Sequence, residues 1–242
     1  MTRLPTARPL AVRRLGVVPF ADAVRLQEQL VVDRQHDRIP DQLLLLEHPP
    51  VVTLGVGARR DNLLVPPDEL ARRGIELHET RRGGDITFHG PGQLIGYPIL
   101  LLKPDRCDVH RYVRDLEEAI IRAVERFGVQ AGRIGGLTGV WVGNDKLAAI
   151  GVRLSRWVTS HGFALNVTTR LQDFELIRAC GLAGHGVTSL AQLTGGEPEL
   201  DQVSDAVAES FGEVFDRATG GAVSEAGISR PAPPAALRVP AG

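Results

Sequence analysis

The segment Arg81-Arg82-Gly83-Gly84-Asp85-Ile86-Thr87-Phe88-His89-Gly90-Pro91-Gly92-Gln93 sets four glycines, a threonine and a histidine between two stretches that read as strands. Glycine accepts positive φ and has no Cβ to hold a ligand away, so such a loop can bring backbone against a bound group. A tight glycine hairpin with no ligand is the competing reading. Lysine usage is the second chemical signal: of the 28 Lys plus Arg residues, only Lys103 and Lys146 are lysines. An ammonium can release its proton where a guanidinium cannot, which makes a lysine kept in an arginine-rich chain a candidate for chemistry. Lys103, in Leu102-Lys103-Pro104-Asp105, ends an apolar run before a turn and reads as a surface residue. Lys146 follows the hairpin-type turn Gly143-Asn144-Asp145 and leads directly into the apolar stretch 147–152.

The third signal is Cys180, set among glycines in Ile177-Arg178-Ala179-Cys180-Gly181-Leu182-Ala183-Gly184-His185-Gly186. A thiol with the reference pKa of ~8.5 is only slightly ionised near neutrality, and a neighbouring ammonium favours its thiolate. Lys146 supplies that charge if the fold joins the two; a small buried hydrophobe is the bland alternative. Cys107, beside Pro104-Asp105-Arg106, has no glycine shell and reads as incidental. His89 reads as a substrate-positioning group, His48 and His161 as supports of the pocket or its strands, and His185 as a weaker candidate. Leu94 and Val140 are apolar positions that read equally as the wall of a tunnel or as core.

These residues need elements to carry them. An apolar stripe of helical period runs through Phe20, Ala23, Val24, Leu30 and Val31; strands follow at 43–46 and 51–54, interrupted by His48-Pro49-Pro50. A short helix near 67–73, a strand near 75–78 and a central strand at 94–101 come next. Asp108 is positioned to cap a long amphipathic helix that ends before Gly128. Strands at 140–142, 146–154 and 163–167 form a meander, and a helix with Leu200, Val203, Val207, Phe211 and Phe215 closes the pattern. The pattern predicts one mixed α/β domain, with helices covering one face of a largely antiparallel or mixed sheet. The expected boundaries are a loose N-terminus over 1–14, a catalytic domain over 15–220 and a disordered Ala/Pro-rich tail over 221–242.

Composition narrows the partners. With 43% hydrophobic and 24% charged residues the chain can bury a full core, and its net charge of −1 gives no electrostatic reason to expect nucleic acid. No apolar run approaches the ~20 residues of a membrane helix, and no secretory leader pattern is present, so a cytoplasmic location is expected. Two cysteines without CxxC spacing make neither a disulfide framework nor a zinc site.

Glu47-His48-Pro49-Pro50 with Val52-Thr53-Leu54-Gly55, Arg82 to Leu94, Gly139-Val140-Trp141-Val142 with Lys146, Ile150-Gly151-Val152-Arg153, His161 to Val167 and Cys180-Gly181 occur in that order. Together, over roughly 15–215, they resemble the lipoyl(octanoyl) transferase family, the lipoate–protein ligase B class. The resemblance implies a fold similar to the catalytic domain of biotin and lipoate protein ligases: α/β (α+β), with a mixed, largely antiparallel sheet covered by helices. It implies transfer of an octanoyl group from octanoyl-acyl carrier protein, through a cysteine thioester, to the acceptor lysine of lipoyl domains. The acceptors would be apo lipoyl domains of 2-oxoacid dehydrogenase E2 subunits and the glycine cleavage H protein. No cofactor is implied, and exchanging a thioester for an amide is downhill without ATP. By position, Cys180 matches the acyl-thioester cysteine and Lys146 its paired lysine. Arg82, Gly83, Gly84, Asp85, Ile86, Thr87, Phe88 and His89 match the segment lining the acyl site. Ala149, Ile150 and Gly151, and Gly162, Phe163 and Ala164, match two further stretches around it. Ala179 stands where many relatives have proline, and Ala149 where serine is common. Two alternatives share the fold: a relay amidotransferase moving the group between lipoyl domains, and an ATP-dependent lipoate or biotin ligase.

Overall fold

Leu43 to Leu46 are apolar at every position because both faces of their strand are covered. The structure, a computed structural model, describes residues 7–178 and 184–219. Its elements are β1 (Arg8–Val17), α1 (Phe20–Gln35), β2 (Asp41–Glu47), β3 (Val51–Leu54), α2 (Pro67–Arg72), β4 (Glu76–Glu79), β5 (Ile86–His89), β6 (Gln93–Ile99) and α3 (Val109–Glu125). They continue with β7 (Val140–Val142), β8 (Asp145–Ser155), β9 (Val158–Asn166), β10 (Gly186–Val187), α4 (Leu190–Thr194), α5 (Leu200–Phe215) and β11 (Arg217–Thr219). Among the described residues, an eight-stranded sheet runs β10-β8-β9-β6-β2-β1-β11, with β7 also paired to β8. A separate three-stranded sheet runs β4-β3-β5.

Side chains alternate across a strand, and here the alternation sorts the core. Leu43 and Leu45 point with Leu94 and Leu165 toward α3 and α5. Leu44 and Leu46 point with Ile95, Tyr97 and Ile99 toward α1. Helices therefore cover both faces of the large sheet, not the single face expected from the sequence. Stripe periodicity shows that a helix has a buried face but says nothing of which side of the sheet receives it. The sheet is mixed: β2-β6-β9-β8-β7 is antiparallel, whereas β1 runs parallel to both β2 and β11.

The N-terminus is the second correction. The stretch read as loose contains β1, held between β2 and β11 with Arg8 opposite Arg217 and Leu10 opposite Asp41. Adjacent Arg13 and Arg14 hide its alternation, and partners supplied from the far end of the chain complete its ladder. Buried Asp41 ties these elements together, accepting from Arg34 Nε at 2.7 Å, Arg217 Nε at 2.8 Å and the Leu101 amide at 3.0 Å.

Local signals placed several boundaries well. The Asp108 carboxylate accepts from the amides of His110 and Arg111 at 2.8 and 3.1 Å, capping α3 as predicted. Pro49 and Pro50 offer no amide to continue a ladder, and at that point the chain leaves the large sheet for β3 of the small one. The small sheet packs Val52, Leu54, Ile86 and Phe88 against Leu70, Ile75, Leu176 and Ile177. No helix among the described residues is long and apolar enough to cross a membrane. The Ala/Pro-rich tail lies outside the described residues.

Candidate active site

A cavity of about 280 Å³ lies where the small sheet, the start of α1 and the middles of β8 and β9 converge. Arg82, Gly84, Asp85, Ile86, Thr87 and His89 line it from the glycine-rich loop and β5. Lys146, Ala149, Ile150 and Gly151 line it from β8, and Gly162, Phe163 and Ala164 from β9. The two latter stretches, far apart in sequence, are register partners: Ala149 faces Ala164, Ile150 faces Phe163 and Gly151 faces Gly162. The two glycines of this ladder leave no room for a side chain. A Cβ on Gly151 would stand 2.8 Å from the Gly83 carbonyl oxygen, and one on Gly162 would overlap the Gly96 carbonyl oxygen.

The loop is anchored by its own polar groups. Arg82 is buried; its Nη2 donates to the carbonyl and hydroxyl oxygens of Thr53, both at 2.8 Å, and its Nη1 to the Gly83 carbonyl at 3.1 Å. Burial lowers its pKa to about 10, which still leaves a cation at neutrality. The Asp85 carboxylate accepts from its neighbour's amide at Ile86, from the Arg59 amide and from Asn62 Nδ2, pinning the loop to residues 59–62. Gly84 adopts φ +89° and its carbonyl accepts from the Gly57 amide at 3.0 Å.

Some expected residues fall elsewhere. Gly83 does not line the cavity; its amide donates to the Val152 carbonyl at 2.9 Å, fastening the loop to β8. Phe88 points away into the small-sheet core, edge-on to Phe174 with ring centroids 5.7 Å apart, because neighbours on a strand face opposite sides. Leu94 and Val140 are packed against α3 and α5 and form core, not a tunnel wall. Cys107 is exposed just before α3 and is no part of the cavity.

Lys146 enters the cavity from the first turn-proximal residues of β8, with Nζ 4.6 Å from the centroid of the Trp141 ring. Gly139, at φ +130°, lies against its stem: a Cβ there would be 3.4 Å from the Lys146 Cε and 2.7 Å from the Ala148 carbonyl oxygen. Cys180 lies outside the described residues, as do its neighbours 179–183. On either side of that segment, Phe174 and Val187 both line the cavity, and Val187 pairs with Lys146. His185 sits edge-on to Trp141 at 5.1 Å and does not line the cavity.

Three buried histidines surround the inner end. His48 donates from Nδ1 to the Val18 carbonyl at 2.6 Å and accepts at Nε2 from the Tyr97 hydroxyl at 2.7 Å. His161, at φ +53°, is edge-on to Tyr97. Burial pushes the pKa of His48 to about 4, of His89 to about 3 and of His161 to about 4. The unfolded chain binds protons at these groups near 6.5, so stability is full above that pH and falls as pH drops toward 4. Between pH 7 and 5 each ring is expected to remove on the order of 2 kcal/mol. Urea unfolding at the two pH values measures the loss, and equal midpoints would show that the rings are solvated.

Sequence reasoning gave Phe20, Tyr97 and the Gly136-Leu137-Thr138 loop no part in the site, yet all line the cavity. Phe20 and Tyr97 carried no signal beyond core periodicity. Gln93 and Asn166 stood inside quoted motifs without a role and also line it.

Comparison with known proteins fits this geometry. The family described as the lipoyl protein ligase A/B catalytic domain matches residues 19–212. The octanoyltransferase of Solibacter usitatus is 53% identical over 209 residues, covering 86% of this chain and 94% of that protein. Among solved structures, the bipartite lipoate protein ligase of Thermoplasma acidophilum superposes with TM-score 0.69 at 18% identity, covering 88% of this chain and 86% of that one. The biotin protein ligase of Aquifex aeolicus with biotin and ATP superposes with TM-score 0.51 at 14% identity, covering 86% and 70%. At these identities the structural likeness speaks for the fold alone.

Proposed function

We infer how the cavity works from one premise: this chain belongs to the lipoyl protein ligase A/B catalytic-domain family and, within it, to the octanoyltransferases. It is an acyltransferase of protein lipoylation. The donor is octanoyl-acyl carrier protein and the acceptor is the lysine of an apo lipoyl domain, such as those of 2-oxoacid dehydrogenase E2 subunits or the glycine cleavage H protein. The observation that carries the reading is one cavity lined at once by the glycine loop, facing residues of β8 and β9, and Lys146. An apolar cavity of ~150 Å³ takes a benzene-sized guest, so about 280 Å³ has room for a medium-length acyl chain.

Two half-reactions follow from the residue types. The Cys180 thiolate, favoured by the Lys146 ammonium, attacks the thioester carbonyl; the carrier sulfur leaves as a thiol with the proton from Lys146, and octanoyl-Cys180 remains beside a neutral Lys146. The lipoyl-domain amine then attacks that thioester, the amide bond forms and the Cys180 thiolate departs. The amine must lose a proton for this step. Acylation has removed the thiolate charge that held the proton on Lys146, so its neutral amine is the base.

The deciding experiment incubates the protein, without ATP, with octanoyl-acyl carrier protein or with an octanoylated lipoyl domain, and follows its intact mass. An octanoyl increment from the carrier supports the reading. An increment only from the lipoyl domain would make it a relay enzyme, and a requirement for ATP would make it a ligase.

Gly84 tests the loop. A β-branched residue at φ +89° costs ~1–3 kcal/mol, which a domain of this size withstands. Gly84→Val is therefore expected to fold, with a thermal midpoint lowered by about ten degrees or less, and to lose the octanoyl increment. Wild-type acylation by this variant would mean that the loop is only a hairpin.

A further inference from the structure

A hydrogen-bonded chain runs from the cavity to a backbone carbonyl, and its direction is fixed from the far end. Asn166 Nδ2 lies 2.9 Å from the Thr188 carbonyl oxygen, which can only accept. That leaves Asn166 Oδ1 to accept from Gln93 Nε2 at 2.8 Å. Gln93 Oε1 is then the atom facing His89 Nδ1 at 2.8 Å, and an amide oxygen there requires the proton to be on Nδ1. All three side chains are buried. The Thr188 amide also donates to the Lys146 carbonyl at 3.0 Å, so the anchor of the chain is fastened to the strand that carries Lys146.

A neutral ring with its proton on Nδ1 has a bare lone pair on Nε2. That atom has no hydrogen-bond partner among the described residues, and the ring lines the cavity, stacked on Phe20 at 6.5 Å and edge-on to His48 at 5.9 Å. We propose that Gln93 and Asn166 are positioning residues that hold His89 in the Nδ1–H tautomer, so that Nε2 stands at the cavity as a fixed acceptor for the N–H of the incoming primary amine. The role rests on the octanoyl-transfer reading above. Burial, reinforced by the neighbouring His48, Arg82 and His161, keeps the ring neutral, with a pKa near 3. So weak a base orients the amine and leaves proton removal to Lys146.

The tautomer is read directly from a long-range proton–nitrogen spectrum of histidine-labelled wild-type enzyme. The expected result is a protonated Nδ1 and a bare Nε2 for His89, unchanged from pH 8 to pH 5. A protonated Nε2, or titration near pH 6.5, would overturn the proposal whatever the variants do. Gln93→Met removes the acceptor at similar volume. It is expected to mix the tautomers and to slow the chase of octanoyl-enzyme with apo lipoyl domain about ten-fold more than it slows acylation, the size of one lost hydrogen bond. Gln93→Glu keeps an acceptor for Nδ1–H but loses the donor to Asn166 Oδ1, so it should recover the tautomer with only part of the chase rate, with His89 now titrating at higher pH. Equal slowing of both steps by Gln93→Met would make the chain purely structural. Failure of wild type to transfer octanoyl from either donor would instead sink the functional reading, while the spectrum would still report on the tautomer.

Discussion

Cys180→Ser is expected to lose octanoyl transfer by at least ~10³-fold, while Cys107→Ser keeps wild-type activity. A serine hydroxyl is far less acidic than a thiol, and an ammonium neighbour that suffices to favour a thiolate does not generate an alkoxide. Cys107 is exposed ahead of α3, with its Sγ 4.0 Å from the Leu102 carbonyl oxygen, and does not line the cavity. The measurement is single-turnover mass analysis with octanoyl-acyl carrier protein, followed by mapping of the adduct. Full activity in Cys180→Ser, or an adduct on Cys107, would end the assignment of the nucleophile.

Lys146→Arg should divide the reaction. The guanidinium preserves a positive charge at the thiolate, so part of the first half-reaction survives. With a pKa above ~12 it cannot act as base in the second, and the variant is expected to accumulate as the octanoyl-Cys180 thioester. The substitution also meets a steric limit: the stem of Lys146 passes Gly139, and its ammonium sits over Trp141, a face that accepts a guanidinium as well. Acylation followed by a chase with apo lipoyl domain measures the steps apart, and a chase slowed ~10²-fold or more is the expected result. Equal slowing of both steps would leave Lys146 with a positioning role only. An unchanged chase rate would move the base elsewhere, although His89, neutral with a pKa near 3, is poorly suited to take it.

Local chemistry wrote much of this protein legibly into its sequence. Asp108 caps α3 because a short acceptor side chain ahead of an amphipathic run satisfies free amides wherever it occurs. His48-Pro49-Pro50 ends β2 because proline has no amide to donate. The glycine loop, the scarcity of lysine and the hairpin turn before Lys146 pointed to part of the cavity lining before any fold was known, and 149–151 and 162–164 were added only by the family resemblance. What the sequence left hidden was decided by contacts between distant segments. β1 is a strand because β2 and β11 flank it, and its own charged pattern gives little sign of that. Helices cover both faces because Leu43 to Leu46 alternate between two cores, a distinction that an uninterrupted apolar run cannot display. Phe88 leaves the site, although both of its neighbours line the cavity, because strand geometry turns it to the other side. Ala149 meets Ala164 and Gly151 meets Gly162 through a register set along the whole β8–β9 ladder. The residue types with chemical capacity were thus determined by the sequence alone. Which of them share one cavity, and which way His89 carries its proton, depended on tertiary structure, because burial and hydrogen-bond direction are properties of neighbours that the chain brings together only on folding.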